Sequence, residues 1–292
     1  MKIFITGATG LIGTALVPEL LQTGHRVFAL ARSATAAAQL TSAGASVVMG
    51  GLEDLDVLRR GAASAEAVIH LAFDHNFSKF RESSEMDKRA IESLGAQLIG
   101  SHRRLFVSTG IPLNAEAYPV VEQGKLSTVS PTARVSELTA NSLRDRGAPV
   151  TVIRLPQVHN QTKQGLVTSL RGIAREKGVS AYVGAGRNRW AAAHVLDIAQ
   201  LYRLAIDATH SLPIYHAVAE EGVALKDIAE AVGRNLDVPV VSIPEDEAGV
   251  HFEFFGRLVA RDLSASSTVT QRHLGWKPTG PGLIDDLENA IG

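Results

Sequence analysis

Three glycines at a spacing of three, Gly7, Gly10 and Gly13, stand near the start of this 292-residue chain. They follow an apolar, mostly β-branched run and open a stretch with helical patterning. In this context the first glycine permits a tight turn, the second lets a pyrophosphate approach the backbone, and the third lets the helix lie close to the strand. The free N–H groups at the helix start then face the phosphates. The spacing predicts a dinucleotide-binding loop, and a tight turn without a ligand is the alternative.

The next apolar run, HRVFALARS, ends in Arg32 and Ser33 with no carboxylate nearby. An acidic residue at this point would bind the free ribose 2′-hydroxyl of NAD. Arg32 can instead pair with a 2′-phosphate through a charge-assisted fork. The strand end therefore favours NADP (NADPH) over NAD, with NAD still possible, and a solvent-exposed arginine without a ligand is the alternative.

The elements that must position these residues alternate along the first half of the chain. Six apolar runs are separated by stretches with helical patterning: KIFITG, HRVFALA, ASVVMGG, EAVIHLAF, RLFVSTG and APVTVIRLP. Buried strands that alternate with helices of roughly 10–15 residues indicate βαβ units and a parallel sheet. After Arg154 the alternation weakens. We expect an α/β fold, with a Rossmann-type, doubly wound parallel sheet over residues 1–153. Residues 154–292 are expected to form mainly a smaller mixed substrate-binding cap, with a late strand and helix returning to the sheet.

Composition narrows the function classes. The net charge of −1 gives no broad basic surface for nucleic acid. The chain has no cysteine, which excludes disulfides and thiolate chemistry and suits a reducing cytoplasm. Strand residues begin at Ile3, so a signal peptide is not expected. No apolar run approaches the ~20 residues that span a bilayer. We expect a cytoplasmic protein with no membrane or nucleic-acid partner.

Several stretches together resemble one known superfamily. TGATGLIG begins at Thr6 and HLA begins at His70, and the later stretches are VIRLPQVHN, WAAAHVLDIAQLYRLAID and PIYHAVAEEGVALKDIAEAVG. They resemble the extended and atypical branches of the short-chain dehydrogenase/reductase superfamily, the NAD(P)-dependent epimerase/dehydratase group. The likeness covers nearly the whole chain. The cofactor-contacting residues expected from the loop and the resemblance are Gly7, Thr9, Gly10, Leu11, Ile12, Gly13, Arg32, Ser33, Leu52, Leu71, Ala72, Ser108 and Pro156.

The catalytic apparatus of that superfamily, a Tyr-x-x-x-Lys pair with a Ser or Thr, is where this sequence departs. Its tyrosines are Tyr118, Tyr182, Tyr202 and Tyr215. Four residues further on stand Glu122, Gly186, Ile206 and Ala219. Placing Glu137 on the family's helix glutamate puts Val129 at the tyrosine and Ala133 at the lysine. The strand end FVSTG leaves Thr109 or Ser108 as a surviving hydroxyl, but the family's proton relay is missing.

Other residues are candidates for the missing chemistry. His75 follows the fourth strand, where the nicotinamide end is expected, and imidazole titrates near neutral pH. The candidate catalytic residues are His75, Thr109 and Tyr118. The candidate substrate-binding residues are Phe77, Phe80, Arg154, His159, Trp190 and His194. Each has a plainer alternative: His75 on a solvated loop, Tyr118 in packing, His194 as a hydrogen-bonded core residue, and Arg154 anchoring the cap. No His or carboxylate spacing matches a metal site.

Three functions remain open from the sequence. The first is an NAD(P)H-dependent reductase of a small carbonyl, imine or activated alkene with a non-standard proton donor, because hydride transfer needs only the cofactor, a fitted pocket and some donor. The second is a dinucleotide-binding sensor without turnover, and the third is a non-redox isomerase or lyase that uses bound nucleotide. The helices after strands four and five carry one apolar stripe each, and charged residues occupy their opposite faces. We therefore expect a monomer or a weak homodimer.

Overall fold

The computed structural model describes residues 1–76, 79–113, 115–124 and 135–291. Its strands are β1 (Lys2–Thr6), β2 (Arg26–Ala31), β3 (Ser46–Met49), β4 (Ala67–His70), β5 (Arg104–Gly110), β6 (Val150–Leu155), β7 (Gln157–His159), β8 (Ser180–Val183), β9 (Arg189–His194), β10 (Ile214–His216), β11 (Glu220–Ala224) and β12 (Val240–Ile243). Its helices are α1 (Leu11–Gln22), α2 (Ala34–Ser42), α3 (Leu55–Ala63), α4 (Phe80–Ala96), α5 (Ser136–Asp145), α6 (Val167–Lys177), α7 (Val195–Asp207), α8 (Leu225–Leu236), α9 (Ala248–Phe252), α10 (Gly256–Val259), α11 (Thr268–Leu274) and α12 (Leu283–Glu288). Two short 3-10 helices cover Glu245–Glu247 and Glu253–Phe255.

The described residues divide into two compact units. The first takes in Met1–Gly110, the described part of Thr128–Arg154, and Ile198–Tyr215. The second takes in the described parts of Ile111–Ser127, Leu155–Asp197 and His216–Gly292.

A seven-stranded sheet forms the centre of the first unit. Its strand order is β10-β6-β5-β4-β1-β2-β3, and the pairs from β3 through β5 are parallel. The strands in the middle are buried on both faces, which is why they read as continuous apolar runs. Helices α3, α4 and α5 cover one face with an apolar stripe that includes Leu58, Ile91 and Leu94. The α/β prediction with a parallel Rossmann-type sheet is confirmed.

The second unit contains two smaller sheets. In one, β9 pairs with β7 in parallel and with β11 in antiparallel orientation. In the other, β8 and β12 are parallel. Their core holds Trp190, Phe252 and Leu283 together with the apolar faces of α6 and α8. The mixed pairing agrees with the predicted smaller mixed region.

None of the helices in the described ranges is long and apolar enough to cross a membrane.

Candidate functional site

The carboxyl ends of five neighbouring strands bring most of the predicted cofactor residues to one edge of the first unit's sheet. Gly7 follows β1, Arg32 follows β2, Leu52 comes shortly after β3, Leu71 follows β4, and Ser108 lies near the end of β5. Because these strands are parallel, their carboxyl ends meet at the same edge. That edge is where open α/β sheets bind ligands.

Two glycines of the Gly7–Gly13 loop are required by close packing, and the third leaves an open face. Gly7 has a φ of +75°, and a Cβ there would lie 2.6 Å from the backbone nitrogen of Ala72. A Cβ on Gly13 would lie 2.5 Å from Ala8, so only glycine lets α1 approach the loop this closely. Gly10 is less crowded, since its Cβ would meet only the carbonyl oxygen of Gly7 at 3.2 Å. The face of Gly10 is thus open to a ligand that needs close backbone approach.

The first turn of α1 presents hydrogen-bond donors without any side-chain cap. Gly10 occupies the N-cap position, and the first turn contains no acidic residue. The α1 backbone bonds begin with Thr14 N–H donating to the Gly10 carbonyl, which leaves the N–H groups of Leu11, Ile12 and Gly13 directed towards the loop. Free N–H groups and the helix dipole suit a phosphate anion. The loop therefore fits the pyrophosphate of a dinucleotide.

Arg32 places a positive charge after the end of β2, where an acidic residue would bind the ribose 2′-hydroxyl of NAD. Arg32 is exposed, and within the described ranges it has no ion-pair or hydrogen-bond partner. Ser33 caps α2, with its hydroxyl oxygen accepting from the Ala36 N–H at 3.2 Å. The Arg32 guanidinium therefore stands beside a helix start, where both groups favour an anion.

Aromatic rings gather after β4. The Phe73 ring lies 5.2 Å from the His75 ring and 5.9 Å from the Phe80 ring, measured between centroids. His75 is exposed, whereas Phe73 and Phe80 are half-buried. The structure thus brings His75 and Phe80 to the same aromatic group. The predicted substrate residue Phe77 lies outside the described residues, as do Val129 and Ala133.

The hydroxyl groups at the end of β5 are buried. The Ser108 hydroxyl donates to the carbonyl of His70 at 2.8 Å and lies 2.7 Å from the Tyr202 hydroxyl. Thr109 is also buried. Ser108 is therefore held by the protein's own groups, a role that its position in the sequence does not reveal.

Arg154 forms a buried ion pair with Glu137. Its Nε and Nη2 donate to the two carboxylate oxygens at 2.9 and 2.6 Å, and the arginine is 1% exposed. A bidentate pair of this kind fixes α5 against β6. Both residues belong to the first unit, so this pair is not the contact with the cap that was the alternative for Arg154. Glu137 is the partner that sequence reasoning did not identify.

Tyr118, in the second unit, is half-buried and donates its hydroxyl to the Leu113 carbonyl at 3.2 Å. The guanidinium of Arg261 donates to the same oxygen at 3.1 Å. Burial raises the pKa of the Tyr118 phenol above its ordinary value, although a backbone hydrogen bond from Ala115 and the positive charge of Arg261 oppose the rise. The phenol is therefore protonated near neutral pH.

The remaining predicted substrate residues also belong to the second unit. The His159 Nδ1 donates to Asp286 at 2.6 Å, and the rings of His159 and His194 lie 5.7 Å apart. Burial lowers the pKa of His159, and the hydrogen bond to Asp286 only partly offsets this. Trp190 is fully buried and donates its indole N–H to the Arg261 carbonyl at 3.2 Å. Pro156, a predicted cofactor residue, joins β6 to β7.

No group of three or more His, Asp and Glu side chains in the described ranges is arranged to hold a metal ion.

A model of NAD(P)H-binding proteins matches residues 7–183, which include the glycine loop and all five strand ends. The chain belongs to this NAD(P)H-binding family. An uncharacterized protein of Schizosaccharomyces pombe is 41% identical over 289 residues, which is 98% of each chain. A decarboxylating sterol-4-alpha-carboxylate 3-dehydrogenase of Dictyostelium discoideum is 29% identical over 242 residues, 76% of this chain and 72% of that protein.

The fold of this NAD(P)H-binding protein is shared with solved structures. The UDP-glucose 4-epimerase of Thermus thermophilus, determined in complex with NAD, superimposes with a TM-score of 0.76 at 18% identity, covering 100% of both chains. The fold that the resemblance to the extended short-chain dehydrogenases/reductases implies is therefore also the fold of this solved structure. At this identity the likeness shows the shared fold and leaves the reaction open.

Proposed function

We propose that this NAD(P)H-binding protein is an NADPH-dependent reductase of a small carbonyl, imine or activated alkene. The first unit carries the glycine loop and Arg32, which are proposed to bind the dinucleotide. The observation that carries the proposal is the pairing of the uncapped Gly7–Gly13 loop with an exposed Arg32 at the next strand end.

Arg32 supports the choice of NADPH. Its exposed guanidinium and the N-terminal N–H groups of α2, which Ser33 caps, form an anion-binding pair at the place where a 2′-phosphate is expected. An acid at this strand end would repel that phosphate, and β2 ends in Ala31 followed directly by Arg32. NAD binding remains compatible with the loop, because the pyrophosphate is common to both cofactors.

The available proton donors support the reductive direction. The bound cofactor supplies a hydride, and the protein must then supply or admit one proton. Tyr118 has a raised pKa, so it holds a proton to give but does not act as a base near neutral pH. His75 is exposed beside Phe73 and is the donor candidate in the first unit. Thr109, near the end of β5, is the third candidate catalytic residue, and it is buried.

The relatives support redox chemistry within the same scaffold, since one of them is named as a dehydrogenase.

A substrate panel tests the proposal. The purified protein is mixed with NADPH or NADH and with small aldehydes, ketones, imines and conjugated enones, and loss of the reduced nicotinamide absorbance is followed. Cofactor affinity is measured in parallel by calorimetry. Turnover of at least one class with NADPH preferred supports the proposal. Tight NADPH binding without turnover of any class would favour the sensor function instead.

We further propose that the protein is a monomer or a weak homodimer. The apolar residues Ile91, Leu94 and Leu143 of α4 and α5 are all buried, whereas Leu138 of α5 is 39% exposed. A closed dimer is expected to bury at least ~1,200 Å². Light scattering at micromolar concentration is expected to give a mass near 31.0 kDa. A mass near twice that value, unchanged on dilution, would disprove it.

A further inference from the structure

Four buried side chains of the first unit form a continuous line of hydrogen bonds, here called the buried polar chain: Thr6, His70, Asp87 and Ser136. The Thr6 hydroxyl lies 2.7 Å from His70 Nδ1, and His70 Nε2 lies 3.0 Å from Asp87 Oδ1. The Ser136 hydroxyl donates to the other oxygen of Asp87. All four residues are 1% exposed or less. This buried polar chain links β1 and β4 with the helices α4 and α5.

Asp87 sets the direction of the hydrogen bonds around it. Carboxylate oxygens only accept, so His70 Nε2 carries a hydrogen and donates to Asp87. The ring is thereby fixed with Nδ1 facing the Thr6 hydroxyl across the paired strands, where Thr6 and His70 are opposite each other. Asp87 thus determines the orientation of His70, and His70 determines that of Thr6.

The Thr6 end of the buried polar chain lies beside two segments of the dinucleotide site, the glycine loop and Leu71–Ala72. The Thr6 carbonyl accepts from the Leu71 N–H at 3.1 Å, and its hydroxyl oxygen lies 3.5 Å from the Ala72 nitrogen. Gly7, the next residue, packs so closely on Ala72 that a Cβ would come within 2.6 Å of its nitrogen. Thr6 therefore joins the glycine loop to Leu71–Ala72, at a place where the two segments pack closely.

We propose that Asp87 is a positioning residue for dinucleotide binding, acting through His70 and Thr6 on the spacing between the glycine loop and Leu71–Ala72. The proposal rests on the dinucleotide site of the proposed function, but not on any substrate or on the choice between NADPH and NADH. Asp87 reaches the loop through two intervening side chains. Because the pyrophosphate and nicotinamide are common to both cofactors, loss of Asp87 weakens both to the same extent.

The test compares Asp87→Leu with Asp87→Asn, measuring Kd for NADPH and NADH by calorimetry in the absence of substrate. Leucine removes the carboxylate that accepts from both His70 and Ser136, so both Kd values are expected to rise roughly three- to thirty-fold, with their ratio unchanged. Asparagine can accept from His70 through its oxygen and donate to Ser136 through its nitrogen. The asparagine variant is expected to bind both cofactors within about twofold of the wild type.

Arg104→Met is the control for lost stability. Arg104 lies at the start of β5, at the opposite edge of the sheet, and donates to the carbonyls of Ile206 and Ala208 at 2.7 and 2.8 Å. It is expected to lower the Tm without changing either Kd. If Asp87→Leu behaves like this control, with a lower Tm and unchanged Kd values, the positioning role is wrong.

Ser136→Ala provides a second measurement if Asp87→Leu does not fold. It removes one of the donors that hold the carboxylate, so a rise in both Kd values of about threefold is expected. Unchanged Kd values in this folded variant would overturn the proposal. If only the ratio of the NADPH and NADH Kd values changed, the positioning role would be wrong. Equal Kd values of the wild type for the two cofactors would instead contradict the NADPH preference of the proposed function, so the two failures are distinguishable.

Discussion

Arg32→Ala is expected to weaken NADPH binding selectively. A hydrogen bond to a charged group contributes about 1.5–3 kcal/mol. Because Arg32 is exposed, solvent screening places its contribution at the lower end, about 1.5–2 kcal/mol, which is roughly a 12- to 30-fold increase in Kd. NADH lacks the 2′-phosphate, so its Kd is expected to stay within about twofold. The quantity that matters is the ratio of the two changes, because general damage to the site would affect both cofactors.

The assay is calorimetry or fluorescence titration of the substrate-free protein with each cofactor at two salt concentrations. Arg26→Ala is the matched control, since Arg26 is also an exposed arginine but lies at the start of β2, whereas Arg32 follows its end. It is expected to leave both affinities unchanged. Raising the salt concentration should narrow the wild-type preference, because the Arg32 contact is exposed to screening. Equal wild-type affinity for the two cofactors, or an equal loss of both in Arg32→Ala, would refute the reasoning.

Three further predictions concern the loop, the missing pair and the second unit. Gly10→Val is expected to abolish cofactor binding, because a branched side chain would occupy the open face over Gly10; a folded variant with normal affinity would show that the loop is only a turn. Oxidation of secondary alcohols and of sugar nucleotides is expected to be weak or absent near neutral pH, since no tyrosine is followed by lysine at the fourth position; brisk oxidation would contradict this, and His75→Ala and Tyr118→Phe would then identify the base. Stability is expected to fall as the pH drops below about 6.5, because burial holds the pKa of His159 below its unfolded value and the unfolded chain therefore takes up the proton first. Thermal unfolding across that range should show a shallower loss in His159→Gln, and an identical slope would rule out His159 as the source.

The parts of the molecule that sequence reasoning predicted are those determined by nearby residues. The glycine loop requires only a strand, three small residues and a helix start, all within Lys2–Gln22. The parallel sheet follows from apolar runs that are buried on both faces. These features are determined by residues that are close together in the sequence, so a single sequence is enough to predict them.

The hydrogen-bond and ion-pair partners of the site residues could not be predicted from the sequence, because the two partners are distant in it. His159 pairs with Asp286, which lies 127 residues later, and no spacing rule connects them. The Arg154–Glu137 pair depends on how α5 packs against β6, which the local sequence around either residue does not show. An aromatic residue type alone does not distinguish a substrate-binding residue from a core residue. Trp190, a predicted substrate residue, is fully buried in the core of the second unit. Tertiary packing determines which distant side chains form such pairs, and the hydrophobic periodicity of the sequence does not predict it.

Cofactor binding and catalysis depend on different parts of this chain. The glycine loop binds through backbone N–H groups and through the absence of side chains, so it does not need the tyrosine or the lysine of the family's pair. The family's proton relay, in contrast, consists of two specific side chains, and substitution of either removes it. A chain can therefore keep the whole dinucleotide site while its proton chemistry changes. What then limits the reaction is the substrate: a protonated imine needs no proton from the protein, whereas an alkoxide formed from a carbonyl must take one from a group such as His75, from Tyr118 or from water. Comparing imine and carbonyl rates in the His75→Ala and Tyr118→Phe variants separates these routes, because only carbonyl reduction should slow when the donor is lost.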